Sequence, residues 1–359
     1  MRKTKLNEIH KSLGGKMTNF AGYEMPISYG SIMEEHNCVR NSVGVFDVSH
    51  MGEILVEGEN AEIFLQYCCS NDVKKLFVGR SQYNYLPNLN GGIIDDLIVN
   101  KLNKNKYLLV VNASNIQKDW EHLKFLNKRF NAILKNISNN ISLLSIQGPN
   151  STKLLNKISD FNFESMKNYM NCEADVAGVK KVIVASTGYT GAGGYEIYCD
   201  NQNVKQIWDS LFSEGKEFNT LPIGLAARDS LRIEMGYCLY GNEIDENTSP
   251  IEAGLKWITK TETNFYGCGR IKKDIEAGCR YLIIGVKCQD RMIPRKDNII
   301  LDSDKHEIGR ITSGTFSPSL KAPIGLGFIL KDKLNYEEEI FIYNEKKIFK
   351  AKISPLPFI

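Results

Sequence analysis

Between Tyr83 and Leu102 two β-prone runs are joined by Asn88-Leu89-Asn90-Gly91-Gly92, and the second run carries adjacent carboxylates at Asp95 and Asp96. Asn and Gly tolerate positive φ, so this joint predicts a hairpin. The returning strand, Ile93-Ile94-Asp95-Asp96-Leu97-Ile98-Val99, is apolar enough to be buried. Strand side chains alternate, which puts Asp96, Ile98 and Asn100 on one face and Asp95, Leu97 and Val99 on the other. A carboxylate among Ile and Leu is costly unless it is hydrogen-bonded or faces a polar cavity. Turn amides can satisfy one of the two. Explaining both as structure is harder, and a functional cavity on one face is the alternative.

A chain of 359 residues is too long for one ordinary core and predicts two or three domains. With 42% hydrophobic and 24% charged residues it reads as well packed rather than disordered. The 45 basic and 42 acidic residues leave a net charge of +3, which gives no broad electrostatic case for nucleic acid. No stretch approaches the roughly 20 apolar residues that cross a bilayer. The opening Met1-Arg2-Lys3-Thr4-Lys5-Leu6 lacks the apolar core of a secretion signal, so a cytoplasmic protein is expected. Nine cysteines without a Cys-x-x-Cys spacing, and five histidines away from them, argue against a disulfide framework or a structural zinc. Reduced thiols used as small hydrophobes are the expectation.

Along the chain, a short helix is expected around Leu6 to Leu13, and Ser31 three residues before Glu34 resembles a capping box opening a helix to about Asn41. Helices are further predicted over 59–69, 114–127, 204–214 and 224–235, and apolar strands over 107–112 and 141–147. Residues 173–199 predict two strands around Ser186-Thr187-Gly188-Tyr189-Thr190-Gly191-Ala192-Gly193-Gly194-Tyr195-Glu196. This glycine-rich stretch is not a dinucleotide fingerprint, because Glu196 takes the third glycine position and a strand follows. A charged stretch over 259–279 is the best linker candidate. Beyond it, short strands and turns predict a small β-barrel or sandwich.

Seven segments, in order and spread over essentially the whole chain, resemble the aminomethyltransferase (T-protein) family of the glycine cleavage system. They are Phe46-Asp47-Val48-Ser49-His50-Met51, the stretch from Tyr83 through Gly91-Gly92 to Val99, Ile146-Gln147-Gly148-Pro149-Asn150, and Thr187-Gly188-Tyr189-Thr190-Gly191 to Glu196. Gly224-Leu225-Ala226-Ala227-Arg228-Asp229-Ser230-Leu231-Arg232, Leu239-Tyr240-Gly241-Asn242-Glu243 and Thr312-Ser313-Gly314-Thr315-Phe316-Ser317-Pro318-Ser319-Leu320 complete the set. Each alone is weak; together they are specific. The resemblance implies an α+β fold of three domains in a cloverleaf. Two antiparallel sheet-plus-helix, ferredoxin-like domains bind folate (1–55 with 140–260, and 56–139 with the aspartate strand). A small β-barrel or jelly-roll-like domain follows over 280–359.

The implied reaction takes the methylene carbon of an aminomethyl group, carried on the reduced lipoyl arm of the H-protein, to tetrahydrofolate, with release of ammonia. It calls for no metal, flavin or nicotinamide, and for no nucleic-acid or membrane partner. Asp96 matches the family's catalytic aspartate, with Ile98 and Asn100 beside it, and Asp95 takes the structural role. Glu196 matches the pterin-binding glutamate and Asn112 the asparagine on the neighbouring strand. Met51, Tyr83, Val110 and Tyr189 match ring-lining positions, and Arg228 an arginine holding folate near its reacting end. Tyr237 belongs to the same region, and Arg295 resembles an arginine suited to the glutamate tail. Without the resemblance, Arg228 reads as a helix-surface partner of Asp229 or Glu234, and Glu196 as a solvated outward residue.

Two departures stand out: Ala192 where the family usually has Glu, and the tail Ser354-Pro355-Leu356-Pro357-Phe358-Ile359, without the terminal basic residue of many relatives. The first bears on loop geometry or folate affinity, the second on contacts to folate or the H-protein, and neither touches the aspartate strand. A folate-binding iron–sulfur maturation protein is the alternative; its Lys-Gly-Cys-Tyr-x-Gly-Gln-Glu motif is not matched by Tyr237-Cys238-Leu239-Tyr240-Gly241-Asn242-Glu243. The folate module of a dimethylglycine or sarcosine oxidising enzyme would follow a flavin domain, for which this chain has no fingerprint upstream.

Overall fold

The computed structural model describes all 359 residues. They form two compact units: Met1–Cys68, Asp72–Asn84 and Asp96–Arg228 make the first, and Cys69–Asn71, Tyr85–Asp95 and Asp229–Ile359 the second. The α+β class expected from the sequence is the one observed: a five-stranded sheet, a six-stranded sheet, a two-stranded ribbon, and a closed six-stranded barrel, with helices between.

The aspartate hairpin forms as the sequence predicts, from strands Ser81–Pro87 and Ile93–Asn103. Its turn is held by Asn88, whose Oδ1 accepts the amides of Asn90 at 2.8 Å and Gly92 at 3.0 Å. Only Gly91 uses a positive φ, +85°. Gly92 is needed for a different reason: a Cβ there would lie 1.8 Å from the carbonyl oxygen of Glu246. The five-stranded sheet continues through Lys106–Val111 and Gly52–Glu57 to Ile133–Asn136 at its edge.

The six-stranded sheet runs Asn171–Val176, Val179–Ala185, Gly194–Asp200, Ile141–Gln147, Gly44–Asp47 and Leu221–Pro222, antiparallel except for the last pair. Residues 173–199 therefore take part in three strands rather than two. The extra hairpin turns at Ala177 and Gly178, both with positive φ (53° and 77°), and alanine carries no turn signal of its own. One face of this sheet buries Val45, Leu144, Ile146, Tyr195 and Ile197 against Leu154, Leu155, Ile207, Trp208 and Leu211 of the helices Ser151–Ile158 and Val204–Glu214. The helix Asn7–Ser12 is too short to hold itself. His10 pins it, Nε2 against Asp47 Oδ2 at 2.8 Å and Nδ1 against the Tyr29 hydroxyl at 2.7 Å. Ser31 caps the helix Ile32–Asn41 through the Glu34 amide, but the carboxylate that reaches back is Glu35, which accepts from the amides of Tyr29 and Gly30.

In the second unit the barrel closes where Tyr281–Cys288 pairs with both Ala322–Leu330 and Ile348–Ser354. Alternate residues such as Ile284, Val286, Ile300, Ile311, Ile342 and Ala351 fill it. The stretch read as a linker carries the helix Cys268–Ala277, anchored by the fully buried Ile271. The nine cysteines are free thiols, and burial pushes those of Cys69, Cys199 and Cys288 up to about 12, so they pack as small apolar groups.

Candidate active site

The alternation along Ile93–Asn103 separates the two aspartates. Asp95 is fully buried with Leu97 and Val99, whereas Asp96 and Ile98 are half-buried on the other face. Each oxygen of Asp96 meets a neutral donor. The Tyr83 hydroxyl donates to Oδ2 at 2.9 Å, and Asn112 Nδ2 donates to Oδ1 at 2.8 Å and to the Asp96 carbonyl at 3.1 Å. Tyr83 lies in the strand Ser81–Pro87 and Asn112 directly follows the strand Lys106–Val111, so the neighbouring strands aim the carboxylate. Asn100, two steps along the same face, is fully buried; Ser81 Oγ donates to its Oδ1 at 2.6 Å, and its own amide reaches the Leu108 carbonyl at 3.4 Å.

Register extends this face across the sheet. Ile98 pairs with Val110, and Val110 with Glu53 of the strand Gly52–Glu57. Cross-strand partners share a face, so Asp96, Ile98, Val110 and Glu53 look the same way. On the six-stranded sheet, Glu196 and Tyr198 share the face opposite the helix-covered core. The two faces are turned toward each other. Leu55 and Leu108 line one side, and Ile183 and Tyr198 the other, of a cleft of about 550 Å³ that lies beyond Asp96, Glu53 and Glu196, none of which lines it; Glu53 and Glu196 interact electrostatically. Glu196 is buried; Thr187 Oγ1 donates to its Oε2 at 2.5 Å and the Tyr198 hydroxyl at 3.4 Å. From strand spacings, Asp96 and Glu53 have Cα atoms roughly 12 Å apart, the scale of an elongated bicyclic ligand.

Arg228, near the middle of the helix Leu225–Glu234, stacks its guanidinium 4.8 Å above the Tyr189 ring. Its charge is felt at His50, whose imidazole is pushed down to about 4 by burial and then by Arg228, against the pull of Asp47. His50 is therefore neutral at pH 7, with the Phe20 ring edge-on at 5.3 Å. Met51, beside it, is half-buried just before the strand that begins at Gly52. At the position of Ala192, the loop closes through its backbone amide on Thr190 Oγ1 at 3.2 Å, and that hydroxyl donates to Gln147 Oε1 at 2.8 Å.

Tyr237 and Arg295 belong to the second unit. The Tyr237 carbonyl accepts from Arg232 Nη1 at 3.0 Å while its ring is exposed, and the exposed Arg295 reaches the Gly314 carbonyl at 3.4 Å. Three polar side chains of the first unit were not singled out from the sequence: Glu53, His50 and Thr187. His50 and Thr187 lie inside quoted motifs, and Glu53 follows Met51 by two residues in an alternating strand, which was the available signal.

Comparison with known proteins covers the chain from end to end. Residues 6–263 match the GCVT N-terminal domain, and residues 282–359 the glycine cleavage T-protein C-terminal barrel domain. An aminomethyltransferase from Flavobacterium psychrophilum is 47% identical over 358 residues, covering 100% of this chain and 99% of its own length. One from Bacteroides fragilis is 46% identical over 360 residues, with the same coverage. Among solved structures, the glycine cleavage system aminomethyltransferase T from Bartonella henselae superposes with a TM-score of 0.93 at 32% identity, covering 100% of this chain and 98% of that one.

Proposed function

The chain belongs to the glycine cleavage T-protein family, and from that premise we propose how its residues carry out the transfer. It is an aminomethyltransferase. Its one-carbon acceptor in this reading is tetrahydrofolate, and its donor the aminomethyl group on the dihydrolipoyl arm of an H-protein. The pteridine ring lies between the two sheets, its donor edge on Glu196 and its faces against Val110, Ile98, Met51 and Tyr189. Arg228, stacked on Tyr189, holds folate near its reacting end, with Asn100 in a supporting position.

Asp96 is the catalytic residue. The carbon–nitrogen bond of the aminomethyl thioether breaks and ammonia leaves. A folate amine adds to the electron-poor carbon, and the second folate amine displaces sulfur as the thiolate. Folate gives up two N–H protons; one completes ammonia and the other the thiol. A half-buried carboxylate beside that carbon stabilises the positive charge and passes a proton between these groups. Tyr83 and Asn112 fix its oxygens in place, which removes reorganisation from the step. The observation that carries this reading is the doubly held Asp96 on the face turned toward Glu196.

A cytoplasmic setting agrees with nine free thiols, and no helix is long and apolar enough to cross a membrane. The test is formation of methylene-tetrahydrofolate and ammonia from aminomethyl-loaded H-protein, with and without tetrahydrofolate. Release of both products only when folate is present supports the reading. Folate binding without turnover would overturn it.

A further inference from the structure

Glu53 sits in the second position of the strand Gly52–Glu57 with no exposed surface, and neither carboxyl oxygen has a hydrogen-bond partner. Its backbone, by contrast, is fully engaged. Its amide donates to Ser138 Oγ at 2.9 Å, and its carbonyl accepts from the Ile137 amide at 3.0 Å and from Ser138 Oγ at 3.3 Å. The strand is thus fixed and only the carboxyl is left over. Register puts that carboxyl on the face of Val110 and Ile98, toward Glu196. Tyr198 and Tyr23 also lie within electrostatic reach of it. Burial, and then the charge of Glu196, push the Glu53 carboxyl well above the usual range, so it carries its proton.

An enclosed carboxylic acid with an unused O–H and an unused carbonyl is a costly thing to keep in a sheet. The cost is recovered when a ligand supplies the missing partner. Resting on the folate reading above, we infer that Glu53 is a specificity-determining residue of the ring pocket, donating its O–H to an acceptor atom of the ring beside the N–H groups taken by Glu196. A carboxylate can only accept, so Glu196 can take the ring's N–H donors but has nothing to offer the ring's oxygen. A neutral acid next to it can tell a 4-oxo ring from a 4-amino one: its O–H pairs with the 4-oxo oxygen, whereas the 4-amino ring offers only N–H there, a weaker match for the acid's carbonyl. Three rotatable bonds let the carboxyl turn to the ring without moving the strand.

The test measures dissociation constants of tetrahydrofolate and of its 2,4-diamino counterpart for the wild type, Glu53→Gln and Glu53→Leu, together with thermal unfolding of each ligand-free protein. The wild type should favour the 4-oxo ring about ten-fold. Glu53→Gln, which still donates, should stay within about three-fold of the wild type. Glu53→Leu should bind tetrahydrofolate about ten-fold more weakly, lose part of the preference, and melt no lower than the wild type, because an unpaired buried group is gone. An undiminished preference in Glu53→Leu overturns the inference, as does a lowered melting point with unchanged binding. Should the leucine variant not fold, the wild-type ratio decides: equal affinity for the two rings overturns it. Failure of the wild type to bind either ring overturns the folate reading itself.

Discussion

Asn112 Nδ2 touches Asp96 twice, donating to the carboxylate at 2.8 Å and to the carbonyl of the same residue at 3.1 Å. One amide nitrogen thereby ties the side chain to its own backbone. With Tyr83 on the other oxygen, the carboxylate has no free rotation left toward the strand. Fixed donors of this kind hold a carboxylate in one geometry, which removes the reorganisation that a flexible side chain would need.

Asp96→Asn should fold and bind tetrahydrofolate within a few-fold of the wild type while losing roughly 10²- to 10⁴-fold in turnover. The amide can keep its oxygen toward Asn112, but it cannot carry negative charge or accept a proton. Initial rates at saturating folate check this. Turnover within ten-fold of the wild type would sink the catalytic assignment.

Arg228→Ala removes a cation from the face of Tyr189 without emptying the sheet core. The folate KM should rise about ten-fold with a smaller change in kcat, since a held substrate loses affinity before it loses chemistry. Arg228→Lys should recover part of the loss. An unchanged KM in the alanine variant would leave Arg228 as a packing residue only.

How much of this could be read from the sequence differs residue by residue. Period-two alternation along the hairpin separates Asp96 from Asp95 and puts it on one face with Ile98 and Asn100, but Tyr83 and Asn112 entered only through the family resemblance. Glu196 needed the family resemblance: between Tyr195 and Ile197 it reads as an outward residue, and only the second sheet makes that face an interior one. Glu53 failed for the same reason. Burial of an alternating strand on both faces is decided by what packs over it, and no pattern within Gly52–Glu57 reports that. The helix Cys268–Ala277 was hidden by charge, since Ile271 is the one fully buried residue holding it.

His50 gives the protein an acid-sensitive contribution. Its folded value of about 4 lies below the ordinary 6.5, so the unfolded chain binds more protons between the two. That stability is complete above about pH 6.5 and is lost as pH falls toward 4, amounting to about 3 kcal/mol over the window. His122, also pushed down to about 4 by burial, acts in the same range. Urea unfolding at pH 7, 5.5 and 4.5 should show a steep loss in the wild type, a shallower one in His50→Gln, and the shallowest when His122→Gln is added. Parallel slopes in all three proteins would refute the assignment.

Arg232 governs the stability of the second unit. Its side chain is 1% exposed and spends its donors in four directions. Nε donates to Asp229 Oδ1, Nη1 to Glu243 Oε2 and Nη2 to Ser313 Oγ, each at 2.8 Å, and Nη1 also reaches the Tyr237 carbonyl at 3.0 Å. Glu243 is fully buried, and its other oxygen accepts from Thr312 Oγ1 at 2.6 Å. Arg232→Ala therefore strands a buried carboxylate and should cost about 3–5 kcal/mol in urea unfolding. Arg232→Lys keeps the charge but cannot fork to four acceptors, so it should lose a large part of the same amount. Replacing both partners, Arg232→Met with Glu243→Leu, should be far less damaging than Arg232→Ala, because no charge is left unpaired. A loss below about 1 kcal/mol in Arg232→Ala, or a double variant worse than the single one, would show that the cluster is not held together by this ion pair.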